Sequence, residues 1–187
     1  DVVSFAYNYE NVRLNKGEIR RKDIVYNYRY AGGDVTIYKM TGKQLKDYME
    51  WAADYFDTIQ PGDTEYRYND ERAGRKYVTF DIFGGVKYKI DLRNEKGNKI
   101  TNLMLVNGKE ITSEMELKVG MNAYRFEQLA RKGGIFDGQK IPVLWASKEA
   151  IGEIDGTIQN MMIDYIKNVK NGIIEGKSHN NWEIIGL

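Results

Sequence analysis

The side chains in this 187-residue chain with the most to offer chemically are aromatic rings set beside glycines or an amide. They are Phe80 and Phe83 before Gly84-Gly85, Tyr124 and Phe126 after Asn122, and Phe136 after Gly133-Gly134. Glycine lets a flat ligand come close to the backbone. A rigid aromatic face then stacks on a base or sugar ring, which contributes about 1–3 kcal/mol for a stacked base. The same residue types fill cores and strands, and strand alternation alone would also bury Phe80. Both readings of Phe80, ligand plate and core packing, stand on the residues alone. Fourteen tyrosines against six phenylalanines and three tryptophans keep the choice open. A ring with an apolar face and a polar tip suits a half-wet binding surface and an exposed strand equally.

Other chemistries are poorly supplied. The single histidine, His179, lies in the polar tail Lys177-Ser178-His179-Asn180-Asn181, so a His-based triad or a dinuclear centre of the His/Asp/Asn kind has no ligands to draw on. Cysteine is absent, which removes disulfides, thiolate catalysis and cysteine-ligated metal sites. Asp54, Asp57, Asp63, Asp70 and Glu71 are scattered along a helix's polar side and a loop, where solvated charge is the ordinary state. No catalytic pair stands out among them. Ala31-Gly32-Gly33-Asp34 lacks the Lys-Ser/Thr of a phosphate loop, and the glycines at 133, 134 and 138 do not form a GxGxxG after a strand. A net charge of +1 gives no field to attract polymeric nucleic acid. No apolar run reaches the roughly 20 residues of a membrane span, and residues 1–10 lack the basic-then-apolar pattern of an export signal. A soluble chain is expected, with any such signal upstream.

The elements that must position the rings are legible to different degrees. Residues 35–40 are rich in β-formers and predict a strand. Thr41-Gly42-Lys43-Gln44 fits a capping box, after which Leu45, Tyr48, Met49, Ala52 and Phe56 recur on one helical face. Residues 60–76 read as a polar loop turning at Pro61-Gly62. From 77 to 92 the period becomes two, with Val86, Tyr88, Ile90 and Leu92 on one face and a bulge or bend at Gly84-Gly85. A strand follows over 100–106, then a type I′ hairpin at Asn107-Gly108, a strand over 117–125 and a helical turn or loop over 127–131. Ser147 is expected to cap a final helix whose apolar side is Ile158, Met161, Met162, Tyr165, Ile166 and Val169, stopping at Gly172. Residues 1–34 show little periodicity beyond a turn, a short strand or helical turn and a Gly-Gly loop. The pattern is that of one α+β domain over 1–187, with mixed, largely antiparallel sheets and flanking helices.

Four ordered blocks carry a family resemblance: DVTIYKMTGKQLKDYMEWAADYF, YVTFDIFGGVKYKIDL, LKVGMNAYRF and IDGTIQNMMIDYIKNVKNGIIEGKSHNNWEIIGL. From about Gly17 to its end the chain resembles the C-terminal domain of the 5′-nucleotidase family, in particular the bacterial 2′,3′-cyclic-nucleotide 2′-phosphodiesterase/3′-nucleotidase branch. The resemblance implies a substrate-recognition domain, the C-terminal part of a longer exported metallophosphoesterase, in which two aromatic rings sandwich a nucleobase. Phe80 matches one plate. Asn122-Ala123-Tyr124-Arg125 matches the segment carrying the other, so Tyr124 is assigned the opposing ring, with Asn122 and Arg125 in the same substrate-binding set. Phe136, in the loop Gly133-Gly134-Ile135-Phe136, competes with Tyr124 for that place. No catalytic residue, metal ligand or cofactor falls in this chain. Divalent metal ions are expected in an N-terminal metallophosphoesterase domain in cis, and the partner is a nucleoside or nucleotide. A monomer is expected, extracellular or attached to the cell wall, or periplasmic in a Gram-negative host.

The sequence also departs from that family. Val78 stands where close relatives often carry Tyr, Tyr30-Ala31-Gly32-Gly33-Asp34 replaces a Tyr-x-Asn-Thr segment, and Ala123 replaces the second Asn of Asn-Asn-Tyr-Arg. Lost amides are lost hydrogen bonds to a ligand. They set a second reading beside the first: a non-catalytic surface binding module that retains the fold and contacts sugars or another protein through its tyrosines. A complete enzyme in this chain alone conflicts with one histidine and no cysteine.

Overall fold

The structure, a computed structural model, describes residues 1–7, 14–73 and 80–187. Among the described residues, β1 (Val2–Tyr7) and α1 (Arg21–Asn27) precede β2 (Val35–Thr41) and α2 (Gly42–Ala53). The short α3 (Asp70–Ala73) leads to β3 (Phe80–Gly84), β4 (Val86–Asp91), β5 (Ile100–Leu105) and β6 (Glu116–Asn122). Next come α4 (Ala123–Ala130), β7 (Val143–Ala146), α5 (Ser147–Ile151) and α6 (Ile158–Asp164), which runs into a π-helical turn (Tyr165–Val169) before β8 (Trp182–Ile185). One sheet has the order β3-β1-β6-β2-β7, and a smaller one β5-β4-β8. Among the described strands, only β1–β6 and β4–β8 pair in parallel. The architecture is α+β with mixed, largely antiparallel sheets.

Helix α2 holds the two sheets together, and its sequence explains why. The Thr41 hydroxyl accepts from Gln44 N at 3.2 Å while Gln44 Oε1 accepts from Thr41 N at 2.9 Å, so two orphan donors of the first turn are satisfied. Leu45, Tyr48, Met49 and Ala52 are all buried, the 3–4 spacing having laid them on one stripe. Phe56 joins the same core from just beyond the helix.

Gly84-Gly85 does more than kink a strand. It ends β3 in the five-stranded sheet and lets β4 begin in the three-stranded one. Gly85 takes φ +86°, and a Cβ there would lie 2.1 Å from the Asp1 carbonyl oxygen. The single strand expected over 77–92 is therefore two strands in two sheets, with its face of Val86, Tyr88, Ile90 and Leu92 buried as expected. Residues 77–79, Val78 among them, lie outside the described residues.

Other expectations are corrected by local geometry. At Asn107-Gly108 only the glycine adopts a positive φ, +87°, with Gly108 N donating to Leu105 O and Leu105 N to Lys109 O. That is a type I turn closed by a left-handed glycine, not a type I′ turn. The strand expected over 117–125 stops at Asn122, because the Asn122 side chain caps a helix that includes Tyr124 and Arg125. Ser147 does not cap the last helix. Its hydroxyl donates to Gly156 O at 2.6 Å and accepts from Val35 N at 3.0 Å, while Thr157 caps α6. Of the apolar side proposed for that helix, Tyr165 and Val169 are exposed, while Ile158, Met161, Met162 and Ile166 are half-buried. Strands β1, β7 and β8 had no clear periodicity to announce them.

Candidate functional site

Sheet register brings the two assigned plates to one end of the molecule. Tyr7 of β1 pairs with Phe80 of β3, and Phe5 with Ile82. On the other side of β1, Val3 pairs in parallel with Gly120 of β6. Continued two residues, that register would set Phe5, and through it Ile82, level with Asn122, so Phe80, paired with Tyr7, lies beyond the end of β6. Two strand spacings, about 10 Å, separate β3 from β6.

Each ring has its own setting. Phe80 is half-buried, its centroid 5.3 Å from those of Tyr55 and Phe56 and 6.0 Å from that of Trp182. It is the margin of an aromatic cluster, in contact with the core without being inside it. Tyr124 is 61% exposed because Arg125 and Leu129, four residues apart on one face of α4, take the buried side. Phe136 is different. It is fully buried, 6.2 Å from the Phe126 ring, which itself stacks on Tyr38 at 3.9 Å.

Asn122 works on the protein itself. Its Oδ1 accepts from Tyr124 N at 2.8 Å, capping α4, and its Nδ2 donates to the Tyr28 hydroxyl. Burial pushes the Tyr28 hydroxyl up to about 12, with the Asn122 bond acting in the opposite direction.

Arg125 is buried with Asp81. Its Nε and a terminal nitrogen reach the two carboxylate oxygens at 2.8 and 2.9 Å, a bidentate fork that fixes both distance and orientation. Asp81 also accepts from the Tyr48 hydroxyl at 2.6 Å, and that hydroxyl lies 3.0 Å from Ser4 Oγ. Burial, then the Asp81 carboxylate, hold the Tyr48 hydroxyl well above its usual range. Beside this network the Arg72 guanidinium lies 3.8 Å from the Trp51 ring centroid, with that of Arg125 at 5.2 Å. Burial and then the neighbouring Arg125 charge lower the Arg72 guanidinium to about 10.

Among the described residues no three His, Cys, Asp or Glu side chains gather where they would hold an ion, and His179 is exposed in the tail. No helix among the described residues is long and apolar enough to cross a membrane.

With this geometry in place, comparison with known proteins is informative. Residues 2–132 match the family described as 5′-nucleotidase, C-terminal domain. The chain belongs to that family. Two nucleotide phosphoesterases are among its relatives. One is the 2′,3′-cyclic-nucleotide 2′-phosphodiesterase/3′-nucleotidase of Haemophilus influenzae, 24% identical over 93% of this chain and 27% of its own length. The other is the trifunctional nucleotide phosphoesterase protein YfkN of Bacillus subtilis, 32% identical over 96% of this chain and 12% of its own length. The chain thus spans about a quarter or less of these curated relatives. The solved 5′-nucleotidase precursor of Thermus thermophilus matches all of the chain (100%) and 32% of its own, with a TM-score of 0.71 at 14% identity. The sulfate thiohydrolase SoxB of the same organism, solved with glycerol, matches 100% of the chain and 30% of its own at a TM-score of 0.66 and 14% identity. At such identities the likeness is one of fold.

In this 5′-nucleotidase C-terminal domain the five side chains assigned from sequence therefore divide. Phe80, Tyr124 and Asn122 sit at one end of the large sheet with some surface, while Arg125 and Phe136 are buried beneath it. Asp81, Tyr48 and Tyr28 escaped the sequence reading. A signal existed for the first: Asp81 is two residues from the buried Phe83 on β3 and so shares its core-facing phase. Arg125 is in the same position, four residues before the buried Leu129. Opposite charges in two core phases point to a buried ion pair. Nothing local announces the Tyr28–Asn122 contact, which spans 94 residues.

Proposed function

We propose that this chain is the substrate-recognition domain of an exported bacterial metallophosphoesterase acting on nucleotides, and that it holds the nucleobase by stacking between Phe80 and Tyr124. The observation that carries the reading is that Phe80, on β3, and Tyr124, on α4, both belong to the end of the large sheet at which β6 stops. Membership of the 5′-nucleotidase C-terminal domain family supports it, as do relatives named for cyclic-nucleotide phosphodiesterase and 3′-nucleotidase activity. Hydrolysis belongs in this reading to an N-terminal metallophosphoesterase domain in cis, which would hold the divalent ions outside the cell or in its wall. The contribution of this chain is positioning: holding a base fixed beside a reacting phosphate removes several kcal/mol from the barrier.

A second reading, a binding module without catalytic partner, draws on Phe136 and Arg125 being spent on packing and on Asn122 being spent on capping and on Tyr28. Saturation-transfer NMR on the chain with adenosine, guanosine, uridine, 3′-AMP and a control sugar separates the two. The stacking reading expects nucleoside signals that fall in Phe80→Ala and in Tyr124→Ala, each costing about 1–3 kcal/mol. Binding of the sugar but no nucleoside at millimolar concentration would instead favour the second.

A further inference from the structure

We propose that the face of the large sheet turned away from α2 is the docking surface for an amphipathic helix from the upstream part of the polypeptide, and that Gly120 marks where the helix backbone crosses. The proposal rests on the part of the preceding reading that gives the chain an upstream portion in cis; base stacking plays no part in it. Val2, Phe83, Val119, Met121, Tyr38 and Met40 take the core side of the sheet with α2, and the residues alternating with them form the other face. On that face Gly84 pairs with Val3, Val3 with Gly120, Gly120 with Ile37 and Ile37 with Trp145, a row that crosses all five strands. A Cβ on Gly84 would lie 3.1 Å from Val3 Cγ1, and one on Gly120 would lie 3.9 Å from both Val3 Cγ2 and Ile37 Cγ1. Phe5 and Ile82 pair in the next row. Val3 is 46% and Phe5 53% exposed, while Ile37, Ile82 and Trp145 are half-buried. Contiguous exposed apolar surface of this kind marks an interaction site.

Gly120 says what kind of partner the face fits. It lies inside β6 with strands paired on both sides, in an extended conformation that any residue adopts. A Cβ there would meet its neighbours only at ordinary contact distance. Gly85 is the contrast, since its positive φ and the Asp1 carbonyl account for it fully. Among the described residues nothing requires a glycine at 120, and glycine in a strand interior weakens the strand. What it supplies is room for another backbone to come close. A sheet buries each apolar face against a further layer; α2 serves one face, and a second helix serves the other. The relatives indicate its source. This chain spans 27% and 12% of two curated relatives and 32% of the solved Thermus 5′-nucleotidase precursor, so most of such a polypeptide lies outside this span. A helix joined to β1 by a short connection lies beside that strand, antiparallel to it, with its C-terminal end at the start of β1. Exposed Lys118 stands there, next to the Val119 that pairs with Val2 and in the same phase as Gly120. A cation at a helix C-terminus is favourable. Lys39, which pairs with Lys118 on β2, is already answered by Glu116 at 2.6 Å.

The test is hydroxyl-radical footprinting, read by mass spectrometry, on the whole polypeptide with its upstream portion, at concentrations where light scattering shows a monomer. Phe5 is expected to be labelled several-fold more slowly than Tyr165, a ring of similar exposure in this chain, 47%. Gly120→Val gives a second measurement whose sign depends on context. In this chain by itself the urea midpoint should hold or rise, because a β-branched residue replaces glycine where a Cβ has room. In the whole polypeptide the midpoint should fall and Phe5 labelling should rise toward that of Tyr165, because the valine stands where the helix backbone crosses. Phe5 labelled as fast as Tyr165 in the monomeric whole polypeptide overturns the proposal, as does a Gly120→Val variant that is harmless there. Protection of Phe5 only on self-association also overturns it, and assigns the face to a second copy. If this chain does not fold by itself, the whole polypeptide and its Gly120→Val variant still decide. Nucleotide hydrolysis by the same preparation keeps the two readings apart. Hydrolysis with freely labelled Phe5 removes the docked helix and leaves the proposed function, whereas protected Phe5 without hydrolysis does the reverse.

Discussion

Helix α2 (residues 42–53) touches buried charge on two sides, and the two sides are built differently. Toward the large sheet, Tyr48 meets an ion pair, Asp81 with Arg125, in which each charge is answered by the other. Toward the small sheet, Glu50 and Lys99 are answered by backbone. The Glu50 carboxylate accepts from Lys99 N at 2.8 Å and Ile100 N at 2.9 Å, and the Lys99 ammonium donates to Phe56 O at 2.5 Å. Burial is the leading influence on both of these groups, raising Glu50 and lowering Lys99 from their ordinary values. The first arrangement joins the elements that carry Phe80 and Tyr124. The second staples β5 to α2, and none of the assigned site residues lies on it. One cluster specifies geometry, and the other satisfies a strand end.

The difference predicts unequal costs for removing one cation from each. Arg125→Met strands the Asp81 carboxylate, which is 1% exposed, and loss of one partner of a buried pair costs about 3–5 kcal/mol. Chemical denaturation should show a loss of that size, largely recovered when Asp81→Leu is added. A single variant as stable as the parent would mean that the pair is solvated, and the contrast between the clusters would dissolve. Lys99→Met leaves the Phe56 carbonyl without its donor and removes a positive charge from beside Asp54, Asp57 and Glu50 without stranding a paired ion, and an unsatisfied buried acceptor costs about 1–3 kcal/mol. The same denaturation series should therefore rank Lys99→Met below Arg125→Met. The reverse order would show that the ammonium is tied to the acidic groups Asp54 and Asp57 more strongly than to the carbonyl.

How far the sequence revealed this molecule depends on whether a feature is local. Thr41-Gly42-Lys43-Gln44 and the Leu45, Tyr48, Met49, Ala52 stripe were readable because a cap and a helical face are set within a few residues. The alternation after Gly85 was readable for the same reason. The break between β3 and β4 was visible as two glycines, but its meaning, a change of sheet, depends on Asp1 packing over Gly85. Parallel partners came from far away: β8 on β4, β1 on β6. Short strands such as β7 have too few residues to show a period, and β1 pairs with sequence more than 70 residues distant. At the site, Phe80 and Tyr124 were reached through a family resemblance. Their packing was not, since whether Phe80 leans on Trp182, or Phe136 disappears beneath Phe126, is decided by tertiary contacts. Asp81 and Arg125 were legible as opposite charges in core-facing phases, a cue that periodicity scoring for apolar residues passes over.

The smallest effect is a slope with pH, and it belongs to the small-sheet cluster. Burial raises Glu50 above its ordinary value of 4.5, the hydrogen bonds from Ile100 and Lys99 acting against that shift. A carboxyl raised on folding binds its proton more tightly in the native state, so its contribution favours folding below the ordinary value and is lost as pH rises through the folded value. Asp91, lowered from 3.8 chiefly by its hydrogen bond with Arg93, acts in the opposite sense. Its contribution is present above 3.8 and is lost as pH falls through its lowered folded value, a window beneath that of Glu50. Between about pH 4.5 and about pH 8 the difference in unfolding free energy between Glu50→Gln and the parent should therefore move in one direction. The parent should lose stability relative to the variant as pH rises, whatever constant offset the amide introduces by presenting an N–H₂ to backbone donors. Urea midpoints for both proteins across that range measure it, since an offset leaves the two curves parallel and a titrating Glu50 does not. Parallel curves would mean that the two backbone N–H donors have offset the burial fully.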